Sequence, residues 1–155
     1  MGDQPRDAAI STHSLQHGDV VIFATDGVWD NLFEDEILKL VISEFQYSGV
    51  VKDATSSALS TKLLVSATKD RDVYPQFADQ KLKREDRNLQ AAIATSIVTA
   101  SKVAGENQKR DGPFAKAVQK AFPYERWHGG KADDISVVVL IALEEAKIDA
   151  ASSKL

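Results

Sequence analysis

The sequence predicts an α+β fold from two apolar, strand-like runs near opposite ends of the chain and from helical periodicity between them. The first run, residues 20–24, is β-branched and aromatic and lies between Gly18 and Gly27. The second run, residues 135–143, is also rich in β-branched residues. Continuous apolar runs of this length are typical of strands covered on both faces. The sequence between them predicts helices that pack on these strands.

The first helix is expected after the first strand and an abrupt acidic turn. Asn31 is its predicted cap, with Glu34 at capping-box spacing, and Gly49 is its predicted stop. Acids at the start of a helix are favoured by the backbone dipole, so Glu34 and its acidic neighbours are interpreted as helix-start residues. The other predicted elements are a polar strand at 9–15, helices at 52–69, 89–100 and 114–122, a polar turn at 105–113, and an exposed charged loop or insertion at 70–87.

Length and composition exclude several classes of protein. A chain of 155 residues suits one domain with a reasonable core. The net charge of −4 gives no basic surface for nucleic acid, and no apolar run is long enough to span a bilayer. There is no cysteine, so disulfide frameworks and thiolate zinc sites are excluded. We therefore expect an intracellular monomer with no nucleic-acid partner and no membrane insertion.

Two acids flank the predicted strands in a way that suggests a metal site. Asp26 follows the first strand, and Asp133 and Asp134 precede the second. If the strands are antiparallel, the end of one and the start of the other lie at the same edge, where Asp26 and Asp133 would meet. Two adjacent carboxylates repel each other unless a cation or a proton lies between them. Oxygen ligands of this kind suit Mg²⁺ or Mn²⁺, although acids that merely start and finish strands are the plainer alternative.

At these residues the sequence resembles the metal-dependent (type 2C) serine/threonine protein phosphatases. Segments 19–31 (DVVIFATDGVWDN) and 130–138 (GKADDISVV) are similar to the two C-terminal motifs of that family. Segments 5–8 (PRDA) and 112–115 (GPFA) are most similar to its small mitochondrial branch. The resemblance implies part of a four-layer αββα sandwich, in which helices flank two mainly antiparallel sheets. It also implies a mitochondrial location.

The resemblance implies a role for each matching acid. Asp26 and Asp133 match metal ligands, and Asp30 matches an acidic position that in some members helps to hold a weaker third metal. Asp134 matches a hydrogen-bonding neighbour of the ligands. Gly27 is the glycine that allows a sharp turn beside them. The implied cofactors are two Mg²⁺ or Mn²⁺ ions, and the implied substrate is a phosphoserine or phosphothreonine protein.

The match also lacks parts of the family pattern. The motifs that begin a complete member, including the Asp-Gly-His-Gly motif, do not occur in this sequence. We therefore expect the chain to correspond to the C-terminal portion of a phosphatase domain, with the N-terminal portion missing. It would supply only part of the two-metal site and no catalytic residue beyond metal ligands.

Two functions remain open at this point. The first is a protein serine/threonine phosphatase present only as its C-terminal part, weakly active or inactive alone. The alternative is a non-catalytic fragment that acts, if at all, as a protein-binding module. The predicted organisation is a partial phosphatase domain at 1–143, with a helical and charged insertion at about 48–88, and a polar tail at 144–155.

Overall fold

The computed structural model describes residues 4, 6, 8–51, 61–69 and 84–144. These residues form an α+β structure, as the sequence predicts. In chain order the elements are β1 (Val20–Ala24), α1 (Asp26–Trp29), α2 (Glu34–Tyr47), α3 (Thr61–Thr68), a 3₁₀ turn (Arg84–Asp86), α4 (Leu89–Glu106), α5 (Pro113–Ala121) and β2 (Val137–Ile141).

In the described residues, the sheet consists of β1 and β2 alone. The strands are antiparallel, with Val20 opposite Ile141 and Ala24 opposite Val137. Backbone pairing continues beyond the strand ends, because the Thr25 amide donates to the Ser136 carbonyl at 3.1 Å. The predicted antiparallel arrangement is confirmed. The exit of β1 and the entry to β2 therefore lie at the same edge of the sheet.

Helix α4 covers one face of this sheet. Helix α4 packs on β2, and α2 packs on α4. The apolar side chains between these layers are almost fully removed from water, which typically contributes about 1.5–3 kcal/mol for each large aliphatic residue. The most deeply buried members of this core are Val28, Val50, Leu64, Ile93 and Ile97.

The opposite face of the sheet is open, which corrects the prediction of strands covered on both faces. The side chains of Phe23, Val138 and Leu140 are 58%, 57% and 52% exposed. Successive side chains of a strand point to opposite faces, so these residues alternate with the inward-facing Ile22 and Val139. Among the described residues, no layer packs on the outer face.

Two local predictions near the N-terminal side are wrong. Residues 9–15 do not form a strand, because no described segment pairs with them, and the side chain of Ile10 is 94% exposed. Asn31 does not cap α2. That helix begins after Phe33, whose amide donates to Glu36 Oε2 at 2.9 Å. The acids of its first turn are in place as predicted.

The remaining helices agree with the sequence apart from their boundaries. Helix α2 stops before Gly49, whose φ of +75° favours glycine. The Asn88 side chain caps α4 by accepting from the Ala91 amide at 2.9 Å. This helix continues to Glu106, beyond the predicted start of the polar turn, and it packs against α1 and β2.

Other predictions fall partly on residues that the structure does not describe. Helix α3 lies within the helix predicted at 52–69, whose residues 52–60 are outside the described ranges. Most of the charged segment at 70–87 and of the tail at 144–155 is also outside them. The domain boundaries at 1–143 and 144–155 therefore stay predictions. None of the helices that the structure describes is both long and apolar enough to cross a membrane.

Candidate metal centre

Asp26 and Asp133 meet at the edge of the sheet where β1 ends and β2 begins. Thr25 fixes this junction from both sides. Its hydroxyl donates to the Asp134 carbonyl at 2.8 Å and accepts from the Ser136 amide at 3.0 Å. The two segments are held by backbone contacts on either side of the acids, so their carboxylates start from a rigid framework.

A third carboxylate joins them through the short helix α1. Asp30 follows one turn after Asp26, and residues four apart lie on the same side of a helical turn. Asp26, Asp30 and Asp133 each offer one carboxylate oxygen, and these three oxygens lie within 4.8 Å of one another. We call these three residues the acidic cluster. The sequence-predicted ligands therefore come together, although their role in binding metal stays a prediction.

Lys131 places its ammonium group among the three carboxylates. Its Nζ lies 2.6 Å from Asp30 Oδ2, 3.0 Å from Asp133 Oδ2 and 3.3 Å from Asp26 Oδ2. Hydrogen bonds to Asp30 and Asp133 raise the pKa of Lys131 far above its ordinary value. The hydrogen bond from Lys131 is the main cause that lowers the pKa of Asp133. The 2.9 Å hydrogen bond from the Asp134 amide lowers it further.

The acidic cluster fits a divalent cation by its donor chemistry. Carboxylate oxygens are the ligands that Mg²⁺ and Mn²⁺ prefer. Three carboxylates around one ammonium leave an excess of two negative charges at this edge. The ammonium of Lys131 already lies within 3.3 Å of an oxygen of each acid. The three acids could therefore hold a metal ion.

Asn31 holds the two halves of the centre together. Its side chain is 1% exposed, and its amide nitrogen donates to the carbonyls of Gly27 at 3.0 Å and Lys131 at 2.7 Å. Its amide oxygen accepts from the Lys131 backbone at 3.0 Å. Sequence reasoning missed this role, since Asn31 beside a helix start is an equally good cap. Its partner is 100 residues away, and no local pattern marks it.

The two supporting neighbours that the sequence singled out act through their backbone. A Cβ at Gly27 would lie 2.5 Å from the Asp134 carbonyl oxygen, so the close approach of α1 to the segment before β2 requires glycine. Asp134 supplies the amide to Asp133 and the carbonyl to Thr25, and its side chain is exposed. Both residues shape the edge on which the acidic cluster sits.

Asp111 anchors the loop between α5 and β2, which leads to the acidic cluster. Its carboxylate accepts from Gln119 Nε2 at 3.0 Å and from the Gly129 amide at 3.1 Å, and it contacts His128 Nδ1 at 3.1 Å. These contacts, with the Gln119 hydrogen bond largest, lower the pKa of Asp111. The loop is thereby tied to α5.

A second group of charges lies along α2. Glu36 makes a two-point pair with Arg110 at 2.6 and 3.0 Å, and Glu44 pairs with Arg84 at 2.8 Å. We call these the α2 ion pairs. They line a pocket of about 590 Å³ between α2 and α4 that includes none of the acidic cluster. Each acid here has its own arginine, so the group carries no excess charge to attract a cation.

Comparison with known proteins gives the family context of this geometry. No family model matches the chain. It is 29% identical over 137 residues to probable protein phosphatase 2C 80 of Arabidopsis thaliana, covering 88% of this chain and 23% of that protein. It is 30% identical over 138 residues to probable protein phosphatase 2C 55 of the same plant, covering 89% and 21%.

A third relative is the protein phosphatase PTC7 homolog fig of Drosophila ananassae. It is 29% identical over 147 residues, covering 94% of this chain and 32% of that protein. The chain thus spans between 21% and 32% of the length of these three relatives.

A solved structure supports the fold assignment. The photosystem II phosphatase PBCP matches with a TM-score of 0.54 and 19% identity, covering 88% of this chain and 41% of that chain. The α+β arrangement described above is therefore a fragment of the phosphatase 2C fold. The resemblance read from the two acidic motifs is confirmed: the chain is a relative of the protein phosphatases 2C and of the PTC7 homologues, a family of metal-dependent enzymes.

Proposed function

We propose that this chain is the C-terminal, metal-binding portion of a protein serine/threonine phosphatase. The observation that carries the proposal is the convergence of Asp26, Asp30 and Asp133 at one edge of the sheet. The relatives are phosphatases of a metal-dependent family, which supports metal binding as the role of these three carboxylates. The substrate would be a phosphoserine or phosphothreonine protein.

In this proposal Mg²⁺ or Mn²⁺ occupies the acidic cluster. Divalent ions in such a site supply a water of lowered pKa as nucleophile and neutralise charge on phosphate. Asp26 and Asp133 act as ligands and not as nucleophiles, and Asp30 supplies a third carboxylate oxygen. Thr25 and Asn31 keep the ligand-bearing segments in register through their hydrogen bonds.

The chain alone would supply only part of a two-metal centre. Three monodentate carboxylates are fewer than the six oxygens that Mg²⁺ requires, so further ligands must come from water or from other protein groups. The open apolar face of the sheet supports the same view, since Phe23, Val138 and Leu140 would be covered in a two-sheet sandwich. We accordingly expect weak metal binding and little turnover from this chain alone.

Calorimetric titration with Mn²⁺ tests the proposed ligands. We expect the unmodified chain to bind Mn²⁺, and Asp26→Asn and Asp133→Asn to weaken binding by about tenfold or more, because each removes a charged ligand. Asp35→Asn is the matched control. It removes an exposed acid that pairs with Lys39 on α2 and does not belong to the acidic cluster. Equal binding by all four proteins would contradict the proposal.

Hydrolysis of an aryl phosphate in the presence of Mn²⁺ tests whether the centre is partial. We expect a rate close to that of the buffer. Robust turnover that is lost in Asp26→Asn would contradict the proposal that the chain supplies only part of the centre.

The open sheet face also favours the second candidate function, a non-catalytic protein-binding module. An apolar face of this kind marks a surface that another polypeptide covers. Mn²⁺ binding separates the two candidates, because a binding module has no need of ordered carboxylate ligands. If the chain binds a protein partner and binds no Mn²⁺, the second candidate replaces the first.

A further inference from the structure

Lys131 occupies the position in which a cation would bind to the acidic cluster. Its Nζ contacts an oxygen of all three acids, at distances between 2.6 and 3.3 Å. A divalent ion would need the same oxygens. Two cations that share one set of ligands at such distances repel each other strongly, so the ammonium and the metal cannot both be held there.

The backbone of Lys131 is fixed independently of its side chain. Asn31 bonds both the amide and the carbonyl of Lys131, and the neighbouring Gly130 amide donates to the Asn107 carbonyl at 2.9 Å. Because these contacts involve only backbone atoms of residues 130 and 131, the ammonium can leave the acids while the loop keeps its place. The side chain is 27% exposed, which leaves it a route to solvent.

We propose that Lys131 is an intramolecular counter-ion that occupies the cation position of the acidic cluster and must leave it before a divalent ion binds. The inference rests on the proposed metal-binding function and adds a regulation of that site. While the metal is absent, the ammonium relieves repulsion among the carboxylates and preserves their arrangement. When the metal concentration rises, metal and lysine compete for the same oxygens.

This competition has two opposite consequences for a variant that lacks the ammonium. Metal affinity rises, because no group has to be displaced first. If the open arrangement is about a tenth of the population, the displacement weakens apparent binding about tenfold. Stability without metal falls, since three carboxylates then face one another unrelieved.

Mn²⁺ titration calorimetry and thermal unfolding of Lys131→Gln test the proposal in the complete chain. Lys116→Gln is the matched control. Both lysines place Nζ 5.1 Å from a phenylalanine ring, but Lys116 makes no ion pair with any acid in the described part of the chain. We expect Lys131→Gln to bind Mn²⁺ about tenfold more tightly, and Lys116→Gln to bind like the unmodified chain.

Thermal unfolding supplies a readout that a merely structural role would not give. We expect Lys131→Gln to unfold at a lower temperature than the unmodified chain without metal, and to recover that deficit at saturating Mn²⁺. A deficit that persists at every Mn²⁺ concentration would overturn the proposal. So would an unchanged or weaker affinity in Lys131→Gln.

Chemical labelling of the unmodified chain avoids any dependence on the folding of a variant. We expect acetylation by an amine-reactive ester, read by mass spectrometry, to be slow at Lys131 without metal and faster with Mn²⁺, relative to Lys116. Labelling of Lys131 that does not respond to Mn²⁺ would overturn the proposal.

The outcomes separate this inference from the proposed function. If Lys131→Gln and the unmodified chain bind Mn²⁺ equally and Asp26→Asn does not bind it, the competition is wrong and the metal centre stands. If neither Lys131→Gln nor the unmodified chain binds Mn²⁺, both the metal centre and the competition are wrong.

Discussion

The acidic cluster and the α2 ion pairs both combine carboxylates with basic side chains, but they differ in charge balance. In the acidic cluster, three carboxylates share one lysine at the edge of the sheet. In the α2 ion pairs, each carboxylate has its own arginine. The balanced pairs join segments of the chain, whereas the unbalanced cluster retains capacity for another cation. The ratio of acids to bases, and not their mere proximity, distinguishes a candidate site from a structural contact.

Glu44 and Asp26 are the most buried and the most exposed acids of the two groups. Glu44 is 4% exposed and is satisfied by Arg84 and by the Ser96 hydroxyl, as a buried charge requires. Asp26, in contrast, keeps 66% of its side chain exposed. A carboxylate that stays in contact with water does not require a basic partner, so it remains available to bind a ligand. The comparison predicts that removing an acid lowers stability in one group and leaves it unchanged in the other.

The largest effect is expected at Glu44. Replacement by alanine removes two charge-assisted contacts and opens space beside α4, so Glu44→Ala should lower the free energy of unfolding by about 2–3 kcal/mol. Urea denaturation followed by circular dichroism measures the change. Gln46→Ala, on the exposed side of the same helix, is the control and should change it by less than about 0.5 kcal/mol. If both variants changed the free energy of unfolding equally, the Glu44–Arg84 pair would have no structural role.

A smaller, pH-dependent effect is expected at Glu36. Its hydrogen bonds with Arg110 lower the pKa of Glu36 below its ordinary value of 4.5. A lowered pKa stabilises the fold above about pH 4.5, and this contribution disappears as the pH falls through the folded-state value. Glu36→Gln should therefore be less stable at pH 7 by about 1–2 kcal/mol. The difference from the unmodified chain should shrink towards zero in acid.

Unfolding curves recorded between pH 7 and pH 3 measure this convergence. A difference that stays constant over that range would mean that the charge of Glu36 does not contribute.

The smallest effect on stability is expected at Asp26. Its contact with Lys131 is the longest of the three at 3.3 Å, and its removal also relieves repulsion within the acidic cluster. Thermal unfolding of Asp26→Asn without metal should therefore give a midpoint that is not distinguishable from that of the unmodified chain. A loss as large as that of Glu36→Gln would place the acidic cluster among the structural ion pairs and weaken the case for a metal centre.

Sequence reasoning predicted the parts of the structure that local patterns determine. The apolar runs gave both strands, and the acids at their ends gave the meeting of Asp26 and Asp133, because antiparallel pairing brings those ends to one edge. Helix spacing located α2 and α4. These features depend on residue periodicity and on one topological assumption, which the register of the two strands confirms.

Features that depend on distant contacts were not predictable in the same way. Asn31 looked like a helix cap because its partners, the backbone groups of Lys131, are 100 residues away. The contact of Lys131 with all three acids depends on the fold, because Asp26 and Asp30 lie about 100 residues away in sequence. The outer sheet face was mispredicted because Phe23 and Leu140 are as apolar as the inward-facing residues. Composition alone cannot tell a covered face from one that is open in this chain.

Crystallographic location of Mn²⁺ shows directly whether the acidic cluster binds a metal ion. Crystals of the chain soaked in Mn²⁺ would give an anomalous-scattering peak at each bound ion. We expect a peak among the carboxylates of Asp26, Asp30 and Asp133, with the Lys131 ammonium displaced from them. A structure in which Mn²⁺ binds elsewhere, or in which Lys131 keeps its three contacts at saturating Mn²⁺, would contradict this expectation.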